Sequence, residues 1–242
     1  MNNRRGFLTA ASAFAAAGLA TKAVTANAAN HSAQTCQIFD SARQAAVSPD
    51  DALKKLKEGN ERFLSGNSAN CDLIAHVKAT GAGQAPFAAV VGCIDSRVPP
   101  ELVFDQQIGD IFAARVAGNF VNTDIIGSLE FAAKLAGSKL IVILGHTECG
   151  AVKGAVDDAK LGNLTAMLAN ITPAVEKVND IGGERSSKNA KMVQAAADQN
   201  AKDAATMLLE RSEILREMVD SGALKVVTAM HDVHSGRVTW HS

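Results

Sequence analysis

The chain has no tyrosine, one tryptophan and five prolines among 242 residues, and aromatic residues make up only 4% of it. No phenol is therefore available as an acid, a base or a hydrogen-bond partner at any site. An excess of charge is also lacking, since 24 Lys and Arg stand against 25 Asp and Glu. That balance offers no basic footprint for a nucleic acid and no attraction to an anionic membrane. Long apolar runs are missing too. The Ala-rich stretch that ends near Ala20 is too short and too weakly hydrophobic to span a bilayer, so no stable membrane association is expected. No internal repeat is visible.

What is present begins with a targeting pattern. Asn3-Arg4-Arg5-Gly6-Phe7-Leu8 is a twin-arginine motif, followed by the Ala-rich run, Lys22 and a small-x-small site at Ala26-Asn27-Ala28. Residues 1–28 are read as a twin-arginine signal peptide cleaved near Ala28, which predicts export of the folded protein to a bacterial periplasm. Residues 29–242 then remain, a length of about 210 that fits one α/β domain. Loss of Arg4, Arg5 and Lys22 leaves this mature chain mildly acidic. Its most linker-like stretch, Gly182 to Ser187, is short and flanked by helical sequence, so no second domain is expected.

Past the leader, Ser48-Pro49-Asp50-Asp51 is a helix start: Ser as cap, Pro in the first turn, acids at the positive end of the helix dipole. Ala52, Leu53, Leu56, Phe63 and Leu64 give this helical amino-terminal arm one apolar face, to be laid on its own domain or on a partner. The segment Leu73 to Gly83 reads as helix or loop leading to Gln84. Four apolar runs, Phe87 to Gly92, Ile111 to Val116, Leu140 to Leu144 and Leu224 to Met230, are candidate strands. Helical runs separate them, around Ile125 to Leu135, Ala151 to Leu168 and Ala190 to Val219. The alternation predicts an α/β fold with a mainly parallel central sheet covered by helices. His231 to Trp240, with Ser235-Gly236 at its turn, reads as a closing edge hairpin.

Two of the four cysteines carry the chemistry. Cys93-Ile94-Asp95-Ser96-Arg97 follows the first apolar run, and His146-Thr147-Glu148-Cys149 follows the third. Both groups thus leave buried strands at their carboxyl ends, where open α/β sheets bind ligands. Two thiolates and one imidazole make three ligands for a tetrahedral ion. The fourth position stays open to water or substrate, as in catalytic zinc, and soft sulfur with nitrogen disfavours magnesium or calcium. The alternatives are two buried apolar thiols, or a disulfide between Cys93 and Cys149, which would leave Asp95 and Arg97 without a role. Cys36 and Cys71 lie outside this group; in an oxidising compartment they could pair, but loop positions give them no geometry, and they are read as free or partly buried thiols.

On these residues the chain resembles the β-class carbonic anhydrases, which carry a C-x-D-x-R segment and an H-x-x-C segment at similar separation. The likeness extends through Val98-Pro99-Pro100-Glu101-Leu102, Arg115-Val116-Ala117-Gly118-Asn119 and Gly150-Ala151-Val152-Lys153, and more faintly from about Ser48 to Trp240. It implies one zinc per chain on Cys93, His146 and Cys149, and reversible hydration of carbon dioxide to bicarbonate and a proton by attack of zinc-bound hydroxide. It further implies an Asp95–Arg97 catalytic dyad, a bicarbonate contact from Gln84, and a pocket walled by Phe112 and Phe131. Position 131 is often tyrosine in such proteins, so here only a hydrophobic wall remains. Family members form homodimers or homotetramers in which the amino-terminal arm wraps the neighbour, and the resemblance favours that placement of the arm. Hydrolysis of carbon disulfide or carbonyl sulfide on the same fold, and a non-catalytic zinc protein, are the competing readings; intact Asp95 and Arg97 argue against the second.

Overall fold

The computed structural model describes residues 36–179 and 181–241; residues 1–28, read above as a twin-arginine signal peptide, lie outside them. Five strands form one sheet in the order β2-β1-β3-β4-β5. They are β1 (Ala88–Gly92), β2 (Ile111–Arg115), β3 (Leu140–His146), β4 (Lys225–His231) and β5 (Val238–His241). The first four run parallel and β5 returns antiparallel to β4. The edge hairpin is therefore β4–β5, with His231 as the last residue of β4, and its turn closes where the Gly236 N–H donates to the Asp232 carbonyl at 2.8 Å.

Every residue of β1 and β3 is buried, which is why these strands read as continuous apolar runs. Alternate side chains serve opposite faces. Ala88, Val90, Leu140, Val142 and Leu144 pack with Ala52, Leu56, Phe87 and Phe104 in one core. Ala89, Val91, Ile141 and Ile143 pack with Leu129, Ala204, Leu208 and Leu215 in another. A third cluster joins Cys93, Phe120, Cys149, Val152 and Ile171.

The helix Pro49–Leu64 opens on a capping box: Ser48 Oγ accepts from the Asp51 N–H at 3.1 Å, and the Asp51 carboxylate accepts from the Ser48 N–H at 3.3 Å. Part of its apolar face is laid on its own domain, whereas Phe63 stays 37% exposed. Ala52 and Leu56 are fully buried in the core built on β1 and β3 of the same chain. Close approach is possible because residue 59 is glycine; a Cβ there would sit 1.8 Å from the Phe104 carbonyl oxygen.

Helices are shorter than the periodic runs that announce them. The run from Ala151 to Leu168 divides into Gly150–Val156 and Gly162–Leu168, with Asp158 between them at φ 51°. The run from Ala190 to Val219 divides into Ala190–Arg211 and Glu213–Asp220 at Ser212, whose Oγ donates to Glu130 at 2.6 Å and accepts the Leu215 N–H at 3.2 Å. Thr123–Glu130 passes into a π-helical turn, Phe131–Leu135. Leu73–Thr80 is a helix capped by Asp72.

Among the described residues, 36–37 and Ala69–Cys71 belong to one compact unit and all others to a second. Within it Cys36 and Cys71 are joined in a disulfide with Cα atoms 5.3 Å apart, which corrects the reading of two free thiols. That separation lies inside the range a disulfide needs, and only the folded path of the chain supplies it. Among the described residues no helix is long and apolar enough to cross a membrane.

Candidate metal centre

Cys93 is the first residue after β1 and His146 the last of β3. These strands are parallel neighbours with Gly92 opposite Leu144, so Cys93 and His146 leave the same carboxyl end of the sheet one position out of step. A tight turn returns Cys149 to them. Glu148 takes φ 58° within it, the Thr147 N–H donates to the His231 carbonyl at 2.9 Å, and Thr147 Oγ1 accepts the Val233 N–H at 3.0 Å. The turn is thereby fixed to β4 and the hairpin. The ligand atoms of Cys93, His146 and Cys149 lie within 4.8 Å of one another, and all three residues are buried.

Three observations say that this donor set fits zinc. His146 Nδ1 lies 2.9 Å from the Thr147 carbonyl, a donor role that leaves Nε2 with its lone pair; Nε2 is buried and has no hydrogen-bond partner among the described residues. The neighbouring Cys149 thiol, then His146, and the Gly118 N–H donating at 3.3 Å hold the Cys93 thiol well down against the opposing effect of burial, whereas the neighbouring Cys93 and burial push Cys149 up. Adjacent buried thiols cannot both ionise unless a cation sits between them, and a divalent ion resolves that conflict. Third, sulfur, sulfur and nitrogen with no carboxylate in the trio is a zinc-type ligand set.

Asp95 borders the trio, its Oδ2 4.0 Å from His146 Nε2. Arg97 holds it by three donations: the backbone N–H to Oδ1 at 2.9 Å, Nε to Oδ1 at 3.0 Å and Nη2 to Oδ2 at 2.8 Å. The Arg97 guanidinium keeps the Asp95 carboxyl well below the usual carboxylate range. Asp95 is thus an anion turned toward Arg97 and still beside the metal position. On the far side lies His231, the register partner of His146. Burial, then the neighbouring His146, pushes its imidazole down to about 4, so it stays neutral.

Arg115 was visible in the sequence only as part of a resembling run. It ties the loop together: Nε donates to the Cys93 carbonyl at 2.8 Å and Nη2 to the Asp95 carbonyl at 2.6 Å. Asn200, which sequence reasoning passed over, donates to the Gly118 carbonyl at 2.7 Å. The available signal was its company, because Ala196, Ala197, Ala201 and Ala204 mark a small-residue helix face that must lie close to something.

Gln84, Phe112 and Phe131 are not brought to the trio within one chain. Gln84 is exposed and precedes β1, so the strand's length, roughly 17 Å, separates it from Cys93. Phe112 pairs in register with Ala89, about 13 Å along the strand from Cys93. The Phe131 ring lies edge-on to it at 6.1 Å and is 49% exposed.

Fold and trio together define an α/β protein with a buried Cys-His-Cys group that could hold a metal ion and an Asp–Arg ion pair beside it. A family profile described as carbonic anhydrase matches residues 88–238. Carbonic anhydrase 2 of Mycobacterium tuberculosis is 34% identical over 197 residues, covering 79% of this chain and 92% of its own length. The carbonic anhydrase of Mycolicibacterium smegmatis is 32% identical over 200 residues, covering 80% and 94%. Among solved structures, a β-carbonic anhydrase of Aspergillus fumigatus superposes with a TM-score of 0.60 at 25% identity, covering 80% of this chain and 90% of that one. A tetrameric β-carbonic anhydrase of Sordaria macrospora gives 0.58 at 27% identity, covering 67% and 84%. The chain belongs to the carbonic anhydrase family, in its β class.

Proposed function

We propose that this chain is a zinc-dependent carbonic anhydrase that interconverts carbon dioxide and bicarbonate with Cys93, His146 and Cys149 as metal ligands and Asp95 and Arg97 as its acid–base pair. The observation that carries the reading is the ionised, Arg97-held carboxylate of Asp95 directly beside a buried Cys-His-Cys trio. Zinc, when bound, supplies Lewis acidity that makes water a nucleophile near neutral pH. The residues do the rest. Asp95 is placed to accept a hydrogen bond from the attacking oxygen and orient its lone pair, and Arg97 keeps that carboxylate ionised and aimed. Thr147 fixes the His146 tautomer through its carbonyl. Arg115 holds the backbone on both sides of Ile94, so ligand and carboxylate keep their relative position. The test is stopped-flow carbon dioxide hydration with metal analysis of the purified protein. About one zinc per chain with hydration activity, both lost in His146→Ala, is the expected result; zinc retained in full by that variant would refute the ligand set.

The active unit is at least a homodimer, with a homotetramer as its larger form. Support comes from the placement of Gln84, Phe112 and Phe131 away from their own chain's trio, which leaves a second copy to present them. Edge strand β2 and exposed Phe131, Leu135 and Leu102 offer the surface for it. The Sordaria macrospora structure is described as tetrameric. Residues 1–28 direct twin-arginine export to the periplasm. The Cys36–Cys71 disulfide supports that reading, because disulfides persist in oxidising compartments.

A further inference from the structure

The Cys93 sulfur accepts a hydrogen bond from the Gly118 N–H at 3.3 Å, and the conformation of Gly118 decides whether that bond exists. Residue 118 sits at φ 86°, a region that L side chains rarely adopt, and a Cβ there would meet Ile171 Cδ1 at 2.4 Å. Its carbonyl accepts from Asn200 Nδ2 at 2.7 Å. Asn200 is 2% exposed on the helix Ala190–Arg211, between alanines that let the helix approach closely. Burial strips an amide of water at a cost that only a hydrogen-bond partner offsets, and this one finds the carbonyl of the residue whose N–H donates to Cys93.

We propose that Asn200 is a positioning residue for the metal centre: by holding the Gly118 carbonyl it aims the Gly118 N–H at the Cys93 sulfur, and so sets the electron donation of that thiolate to the metal. The inference rests on the zinc assignment made above. A hydrogen bond to a ligating sulfur withdraws charge from it and fixes its direction, and removal of such an outer contact commonly costs 10–100-fold in metal affinity. Neither Asn200 nor Gly118 belongs to the ligand trio itself.

The experiment uses the full mature protein and compares Asn200→Leu, of similar size with no donor, and Asn200→Ser, which leaves room for a bridging water, with Leu208→Ala as control. Leu208 is fully buried on the same helix and packs in a different cluster, so its truncation loosens the helix without touching Gly118. Zinc affinity is read by chelator competition, and cobalt(II)-substituted protein reports the thiolate-to-metal charge-transfer band. The expected order of zinc affinity is wild type, Ser variant, Leu variant, with a loss of about tenfold or more for Leu and a shifted cobalt band in both. Leu208→Ala should lower the melting temperature yet leave both readouts in place. If Asn200→Leu fails to fold, the Ser variant alone decides. Wild-type affinity and band in the Asn200 variants, or equal changes in Leu208→Ala, would overturn the proposal. Failure of the wild type itself to bind zinc would instead refute the metal assignment.

Discussion

At the scale of single residues, Asp95 and Asp110 are opposite cases of one carboxyl chemistry. Asp95 is held ionised by Arg97, so it carries its charge throughout any neutral or alkaline assay. Two thiolates neutralise the ion and leave it less acidifying than a three-imidazole site, so hydration should be slow near pH 7 and rise into the alkaline range. Asp95→Asn keeps zinc but loses the orienting charge, and turnover should fall by about 100-fold or more. Arg97→Ala frees a carboxylate whose Oδ2 already lies 4.0 Å from His146 Nε2 to turn onto the metal, and the alkaline rise should move to higher pH. Hydration rates from about pH 6 to 9 for the three proteins check both; a flat wild-type profile with an unimpaired Asn variant removes Asp95 from the reaction. Asp110 has no such partner among the described residues. It is 5% exposed, and burial pushes its carboxyl up to about 6 against the opposing pull of the Gln107 N–H, His76, Arg43 and Lys55. An acid whose folded value exceeds its unfolded value binds extra protons when folded, so stability should decline as pH rises from about 4 to 6 and stay lower above, by about 2–3 kcal/mol. Asp110→Asn keeps an acceptor for the Gln107 N–H and should remove that decline, raising the melting temperature at pH 8 by several degrees. Thermal melts at pH 4, 6 and 8 would show it; parallel pH dependence in the two proteins would exclude Asp110 as its source.

At the scale of elements, the sequence carried the strands better than the helices. Parallel strands buried on both faces are continuous apolar runs, and β1 and β3 are legible for that reason, as are the two ligand segments at their ends. Helical periodicity runs unbroken through Asp158 and Ser212, where the breaks depend on a left-handed residue and on a hydrogen bond to Glu130 eighty-two positions away, neither of which a local pattern encodes. The pairing of Cys36 with Cys71 stayed undecided in the sequence for the same reason. The amino-terminal helix shows the limit most sharply: Ser48 to Asp51 announced its start, but an apolar stripe does not say which surface it covers. Since Leu56 is fully buried with Phe87, Val90 and Leu140 of its own chain, Leu56→Ala should cost about 2–5 kcal/mol of folding stability. The loss should not depend on protein concentration, and the folded fraction should keep its zinc. A variant with a normal melting temperature but weakened association would return the helix to a role between subunits.

At the scale of the whole molecule, two assignments connect one chain to its surroundings. Replacing Arg4 and Arg5 by lysine should hold the precursor in the cytoplasm, since the translocase reads the arginine pair and not its charge; normal amounts in a periplasmic fraction would mean another route. Assembly can be tested through the site. A trio at the carboxyl end of β1 and a glutamine before its amino end cannot meet in one chain, so each pocket should take its metal ligands from one copy and Gln84 from another. His146→Ala destroys the metal site of its own chain, whereas Gln84→Ala leaves the metal in place and damages only the pocket of the neighbour. In a dimer holding one chain of each kind, the two defects fall together on the pocket that has already lost its metal, and the other pocket is intact. Half of randomly mixed dimers are of this kind and each has one working site of two, so co-refolded variants should regain about a quarter of wild-type hydration activity. Separately, the His146 variant should be inactive and the Gln84 variant strongly impaired. Activity of the mixture equal to the mean of its components, with dimers present by light scattering, would place Gln84 outside the neighbour's pocket.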